Sequence, residues 1–293
     1  MSQQPDKDEI ETTGHSWDGL EEYNNPLPRW WLWTFYVTIA WAVLYTIAYP
    51  AWPLINGATQ GVLGFSTRAN VAEDIAKVDA ANAGNMEALA NVDLASLSEN
   101  SELHGFAVNA GAAVFRANCS QCHGTGAAGV QASGYPNLLD DAWLWGGTVD
   151  DIAYTVAHGI RNEQSDEARW SEMPAFGEIL EEEEISQVVA YVQSLSGLDH
   201  DAGLSASGEV LYADNCAACH ADDGTGDRDQ GAPDLADQVW LYGSAAETIT
   251  DTVANARFGV MPAWSEEHRV GSGLNKAEIN AVAAYVHQLG GGE

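Results

Sequence analysis

The sequence predicts an all-α protein in which one N-terminal membrane-spanning helix precedes two tandem copies of a helical domain. Three observations lead to this prediction: an uncharged run from Trp30 to Thr67, an internal repeat in residues 106–293, and an amphipathic helix pattern at the end of each copy. No strand pattern is evident in either copy. A chain of 293 residues has room for two ordinary domains besides the helix.

The predicted membrane helix occupies residues 30–52. Its apolar part, from Trp30 to Tyr49, has about the 20 residues that a bilayer span requires. Tryptophan and tyrosine cluster at both ends, as they do at membrane interfaces, and Pro50 and Pro53 end the helix. A cleaved signal peptide is the alternative, but a long and mostly acidic segment precedes the run and no small-residue cleavage site follows it.

Polar segments flank this helix. Residues 1–29 form an N-terminal segment, and Arg29 at the boundary favours a cytoplasmic location for it. Residues 53–105 are rich in alanine, asparagine, glycine and acidic residues, with helical periodicity in places. We expect them to form a partly helical connector.

The repeat relates residues 106–197 to residues 206–293. Many positions superpose at a constant shift of 97. The equivalent pairs include Gly111 and Gly208, Phe115 and Tyr212, Cys119 and Cys216, Pro136 and Pro233, and Trp143 and Trp240. Each copy ends in an apolar helical stripe. The stripes are Ile185, Val188, Val189, Val192 and Leu195 in the first copy, and Ile279, Val282, Ala283, Val286 and Leu289 in the second.

Each copy contains one Cys-x-x-Cys-His motif. The motifs are Cys119-Ser-Gln-Cys122-His123 and Cys216-Ala-Ala-Cys219-His220. This pattern is typical of c-type haem attachment, in which two thiols form thioethers to the porphyrin and the adjacent imidazole binds the iron. A zinc site would draw its four ligands together, a thioredoxin-like dithiol would need a βαβ context, and a disulfide would not explain the repeated histidine. The sequence therefore predicts two covalently attached haem c groups in two tandem cytochrome c-like domains.

Two methionines are candidates for the second axial ligand of the irons. Met173 and Met261 each begin a Met-Pro-Ala-aromatic tetrapeptide between the haem motif and the terminal helix. A methionine thioether opposite histidine raises the reduction potential of a haem. A lone methionine can also be core filler. Closely packed domains can exchange ligands, so the sequence leaves open which methionine serves which haem.

Other polar groups are candidates for supporting roles. The carbonyls of Pro136 and Pro233 either accept a hydrogen bond from the ligating imidazole or belong to simple loop turns. The remaining histidines in and beside the two copies have no counterpart at the equivalent position, and we expect them at the surface or beside the site. They are His104, His158, His200, His268 and His287.

The charge of the chain restricts its partners. Forty-three acidic against eleven basic side chains leave a formal net charge of −32. Such a surface repels nucleic acid, which excludes that class of partner. It favours a basic protein partner or a saline environment, and both interpretations stay open.

The motifs together resemble a known family. Residues 106–197 and 206–291 resemble cytochrome c, and the segment from His15 to Trp33 is similar to the start of the dihaem subunit III of cbb3-type cytochrome c oxidase, the CcoP/FixP family. That resemblance implies thioether links at four cysteines, two proximal histidines and two distal methionines. These residues are Cys119, Cys122, Cys216, Cys219, His123, His220, Met173 and Met261.

The resemblance also implies a function. The subunit would catalyse nothing alone and would relay electrons from a soluble periplasmic cytochrome c to the monohaem subunit and the haem–copper catalytic subunit of a respiratory oxidase. Haem is attached outside the cytoplasm, so the N-terminus would be cytoplasmic and the haem domains periplasmic at a bacterial inner membrane. The alternatives are a stand-alone membrane-bound dihaem cytochrome and a dihaem peroxidase-like enzyme with one open iron.

Overall fold

The computed structural model describes residues 11–292, so residues 1–10 and residue 293 of the predicted segments lie outside it. The helices are α1 (Arg29–Ala48), α2 (Thr67–Asn91), α3 (Ser101–Val114), α4 (Ser120–His123), α5 (Val149–His158), α6 (Glu182–Leu195), α7 (Ala202–Asn215), α8 (Ala217–His220), α9 (Ala246–Asn255) and α10 (Lys276–His287). The strands are β1 (Thr12–Trp17), β2 (Leu20–Tyr23), β3 (Pro53–Leu54) and β4 (Gly57–Ala58). They form two antiparallel hairpins outside the haem-motif repeats. The helical fold class is confirmed.

Helix α1 has a mean hydropathy of 1.4 and is long and apolar enough to cross a membrane. The chain folds back over its C-terminal end, where the N–H groups of Val62 and Leu63 donate to the carbonyls of Ile47 and Ala48 at 2.9 and 3.1 Å. Carbonyls that a helix end leaves unpaired thereby find partners. Gly61 makes this possible, because its φ is +72° and a side chain there would collide with the Ala48 carbonyl.

The chain divides into two compact units between Ala81 and Asn82, within helix α2. In the second unit, a first hydrophobic core lies between α3, α5 and α10, with apolar side chains from the end of α2 and from the turn that follows. Its buried members include Leu89, Leu97, Phe115, Ile152, Val156, Ile279 and Val282. The connector predicted for residues 53–105 therefore contains a long helix whose end belongs to this core.

The second core lies between α6, α7 and α9. Its buried members include Phe176, Ile185, Val188, Val192, Tyr212, Ile249 and Val253. Helix α6 comes from the first sequence repeat, whereas α7 and α9 come from the second. The first core shows the reverse arrangement, with α3 and α5 from the first repeat and α10 from the second.

The two cores thus exchange their terminal helices. Two equivalent glycines permit the close helix crossings: a side chain at Gly111 would collide with the Ala281 carbonyl of α10, and one at Gly208 with the Gln187 carbonyl of α6. The exchanged segments run past each other after α5 and α9. There Ile160 and Met261 form two backbone hydrogen bonds of 2.9 and 3.0 Å. Each core is therefore assembled from both repeats.

Candidate haem-binding sites

The second Cys-x-x-Cys-His motif opens onto a cavity in the second core. Cys216 lies between α7 and α8, and α8 carries the rest of the motif. Four of the predicted site residues line the cavity: Met173, Cys216, Cys219 and His220. The apolar lining residues include Leu144, Phe176, Val188, Val192, Leu235, Leu241, Ile249 and Val253. The structure thus brings a methionine of the first repeat to the histidine of the second.

The His220 ring is oriented by a backbone carbonyl. Its Nδ1 lies 3.0 Å from the Pro233 oxygen. A carbonyl can only accept a hydrogen bond, so Nδ1 carries the hydrogen and Nε2 keeps its lone pair. Burial lowers the pKa of His220, and the hydrogen bond to Pro233 opposes this shift. The neutral imidazole is the form that binds a metal ion.

The first motif repeats this geometry in the first core. Nδ1 of His123 lies 3.3 Å from the Pro136 oxygen, and burial again lowers the pKa of the imidazole. Cys119 and Met261 both pack against the first core. Of the two interpretations left open for the proline carbonyls, this geometry favours acceptance of a hydrogen bond from the imidazole.

The four cysteines lie in two different environments. Cys119 and Cys216 are partly buried, whereas Cys122 and Cys219 are exposed. Burial, together with the neighbouring thiol, raises the pKa of Cys119 and of Cys216 to about 11. A redox-active dithiol has a lowered thiol pKa instead. The raised pKa of Cys119 and Cys216 is therefore opposite in direction to that of a thioredoxin-like site.

The cavity in the second core, called the second cavity from here on, also suits the carboxylates of a haem. The indole Nε1 of Trp240, which lines the cavity, is buried without a hydrogen-bond partner. A buried N–H without an acceptor is costly, so this group calls for an acceptor that the protein does not supply. An apolar wall, two thiols, a free imidazole nitrogen and a thioether complete the set of groups that a haem c requires.

The remaining histidines make contacts of their own. Nδ1 of His158 lies 3.1 Å from a carboxylate oxygen of Glu167 and 3.4 Å from Nε2 of His268. His158 comes from the first repeat and His268 from the second, so this pair is another contact between the repeats. His200 is exposed, and its Nδ1 lies 2.8 Å from the Leu198 oxygen.

Comparison with known proteins follows the same division of the chain. Residues 9–56 match the family of the N-terminal domain of cytochrome oxidase-cbb3, FixP, and residues 108–196 and 205–290 match the cytochrome c family. The chain is 59% identical over 298 residues to the cbb3-type cytochrome c oxidase subunit CcoP of Cereibacter sphaeroides, with 100% of both chains covered. It is 49% identical over 284 residues to the subunit FixP of Sinorhizobium medicae, with 97% of this chain and 96% of the relative covered. It is also 49% identical over 299 residues to the CcoP subunit of Rhodobacter capsulatus, with 100% of both covered.

These matches cover the membrane helix and both haem motifs. Two cytochrome c domains in such a subunit imply two haem c groups, which agrees with the groups that line the second cavity. The chain therefore belongs to the CcoP/FixP family of cbb3-type cytochrome c oxidase subunits, and it is a membrane-associated electron-transfer subunit of that oxidoreductase complex.

Proposed function

We propose that this subunit receives electrons from a soluble periplasmic cytochrome c and relays them through its two haems. The onward acceptors are the monohaem cytochrome subunit and then the haem–copper catalytic subunit of the oxidase. The net charge of −32 supports a basic donor, because opposite charges speed the encounter of the two proteins.

Each haem takes its ligands from both repeats in this proposal. The haem at Cys216 and Cys219 has His220 as its proximal ligand and Met173 as its distal ligand. The observation that carries this assignment is that all four side chains line one cavity.

The other haem has the reciprocal set of ligands. It is attached at Cys119 and Cys122, with His123 proximal and Met261 distal. Support comes from the first core, against which both Cys119 and Met261 pack. The exchange of terminal helices between the cores accounts for the exchange of methionines.

This ligand set suits electron transfer. An iron that is bound by both histidine and methionine has no open position for a substrate, and the thioether raises its potential. The protein's own contribution is to exclude water with apolar side chains, to orient the imidazole through a proline carbonyl and to fix the spacing of the two sites. The chain alone therefore catalyses no reaction in this proposal.

The proposed topology places the haems outside the cytoplasm. Thioether attachment of haem occurs on the outer side of the bacterial inner membrane. With α1 as a single membrane span, the N-terminus is cytoplasmic and residues beyond about 53 are periplasmic. Arg29 at the start of α1 agrees with this orientation, because basic residues favour the cytoplasmic side.

The experiment that tests the proposal is purification from native membranes in mild detergent. Two covalent haems per chain, co-purifying b-type haem and oxygen reduction with a soluble cytochrome c as donor are the expected results. Two c-type haems on a lone chain, without b-type haem, would instead identify a stand-alone membrane cytochrome.

A further inference from the structure

Two aromatic side chains cross reciprocally between the repeats. Trp145 and Tyr242 occupy equivalent positions at the shift of 97, and so do Gly134 and Gly231. A side chain at Gly231 would collide with the ring of Trp145, and one at Gly134 would collide with the ring of Tyr242. Each ring therefore lies directly on the glycine backbone of the other repeat.

The glycine under Trp145 belongs to the loop that orients a proximal histidine. Gly231 lies two residues before Pro233, whose oxygen is 3.0 Å from Nδ1 of His220. Gly231 and Pro233 both line the second cavity, and so does Leu144, the residue before Trp145. Trp145 itself is only 7% exposed, so its ring is fixed by packing. A tryptophan of the first repeat thus supports the loop that holds the histidine of the second.

The glycine under Tyr242 has the same place in the other loop. Gly134 lies two residues before Pro136, whose oxygen is 3.3 Å from Nδ1 of His123. Tyr242 also lines the second cavity. The Tyr242 ring therefore forms part of the wall of the second cavity and also contacts the loop that orients His123.

An arginine supports each ring. The guanidinium carbon of Arg169 lies 5.6 Å from the centre of the Trp145 ring, and that of Arg257 lies 4.7 Å from the centre of the Tyr242 ring. Both distances suit a cation–π contact. Each arginine stands four residues before the candidate ligand methionine of its own repeat. Each ring thus contacts both the segment that leads to a candidate ligand methionine and the loop that orients a candidate ligand histidine.

We propose that Trp145 and Tyr242 are positioning residues that act across the repeat boundary. Trp145 fixes the hydrogen bond between Pro233 and His220, and Tyr242 fixes the equivalent bond at His123. This inference rests on the proposed ligation of the irons by the two histidines.

The physical effect runs through the imidazole. A firm hydrogen bond from Nδ1–H to a carbonyl makes Nε2 a more basic ligand, which favours the ferric iron and lowers the reduction potential. Removal of a ring loosens the glycine loop and weakens this bond. The potential of the haem in the opposite repeat therefore rises more than that of the haem in the same repeat.

The test is redox titration of the oxidase complex that contains Trp145→Leu or Tyr242→Leu. Trp145→Leu is expected to raise the potential of the haem at Cys216 and Cys219 and to leave the other potential in place. Tyr242→Leu is expected to raise the potential of the haem at Cys119 and Cys122 more than that of the haem at Cys216 and Cys219, whose cavity Tyr242 also lines. Cys219→Ala identifies the haem at Cys216 and Cys219, because loss of one thioether shifts the visible absorption band of that haem.

Matched controls use the aromatic residue of the other repeat. Trp145→Tyr and Tyr242→Trp keep a ring on the glycine and are expected to restore the potentials of the native complex. If Trp145→Leu does not accumulate, Trp145→Phe provides a smaller ring, for which a smaller rise at the same haem is expected. The electron paramagnetic resonance of the ferric haems gives a second measurement, since it reports the ligand field of each iron.

The outcomes separate this inference from the proposed function. A shift confined to the haem of the substituted repeat, an equal shift of both haems, or no shift would overturn it. A native complex without two covalent haems of histidine–methionine type would instead reject the proposed ligation before any variant is made.

Discussion

Met173 and His220 line one cavity although they belong to different sequence repeats. Their meeting follows from the crossing of the chain after α5 and α9, where Ile160 and Met261 exchange two backbone hydrogen bonds. The two haem sites are consequently parts of one structure, and each repeat contributes residues to the haem site of the other.

Replacement of a methionine should act on the haem of the other repeat. Met173→His is expected to lower the potential of the haem at Cys216 and Cys219, because a second histidine lacks the potential-raising effect of the thioether. Met86→Leu is the matched control, since Met86 packs against the first core and is not among the residues that line the second cavity. The measurement is redox titration, together with loss of the absorption that sulfur–iron ligation produces. A lowered potential at the haem of Cys119 would contradict the exchange of ligands.

A side chain at the close helix crossing should destabilise the second core. Gly208→Ala is expected to lower the free energy of unfolding by about 1–3 kcal/mol, because the added methyl group overlaps the Gln187 carbonyl. Gly105→Ala, also within a helix, meets nothing within 4 Å and should be neutral or stabilising by up to about 1 kcal/mol. Denaturant titration followed by circular dichroism distinguishes the two. Equal stability of both variants would mean that α6 and α7 do not cross at Gly208.

The ion pair beside Trp145 should make stability depend on pH. Burial alone would raise the pKa of Asp151, but hydrogen bonds from Thr148 and Arg169 outweigh it and hold that pKa below its usual value. The pair therefore stabilises the fold above the ordinary carboxyl pKa of about 4, and this contribution is lost as the pH falls further. Asp151→Asn is expected to cost about 1 kcal/mol near neutral pH, a modest value because the carboxylate is 35% exposed. Unfolding titrations at several pH values check this, and a cost that persists in acid would contradict it.

The acidic surface should govern the encounter with the donor. Reduction by a basic cytochrome c is expected to slow steeply as ionic strength rises, because salt screens the attraction between exposed charges. The double variant Asp222→Asn with Asp229→Asn changes the exposed loop after the second haem motif, and at low salt it should react more slowly than the native chain. Glu182→Gln with Glu183→Gln, at the exposed start of α6, is the matched control for an equal change of charge. A rate that salt leaves unchanged would assign the acidity to solubility or to a saline habitat.

Much of the fold is predictable because its signals are local. The uncharged run predicts helix α1, and the two amphipathic stripes predict helices α6 and α10. The Cys-x-x-Cys-His motif identifies its cofactor through the chemistry of adjacent residues, which needs no tertiary information. The sequence leaves two interpretations open for the proline carbonyls, and their distances from the histidine rings favour the hydrogen-bonding one.

The exchange between the repeats is not predictable from the stripes. Helices α6 and α10 have similar apolar faces, formed by Ile185 and Val188 on α6 and by Ile279 and Val282 on α10. By pattern alone, either helix could therefore pack in either core. The choice depends on the short segments after α5 and α9, which carry no periodicity. The shift of 97 already aligned Trp145 with Tyr242 and Gly134 with Gly231, but only their packing shows why the positions matter.

The central claim is that this subunit relays electrons from a soluble donor to the oxygen-reducing core. The most direct test is stopped-flow mixing of the oxidised complex with reduced soluble cytochrome c, with the c-type and b-type haems followed separately. We predict that the c-type haems of this chain are reduced before the b-type haems. Met173→His is expected to slow the later reduction of the b-type haems. Reduction of the b-type haems at an unchanged rate, while the haems of this chain stay oxidised, would contradict the account.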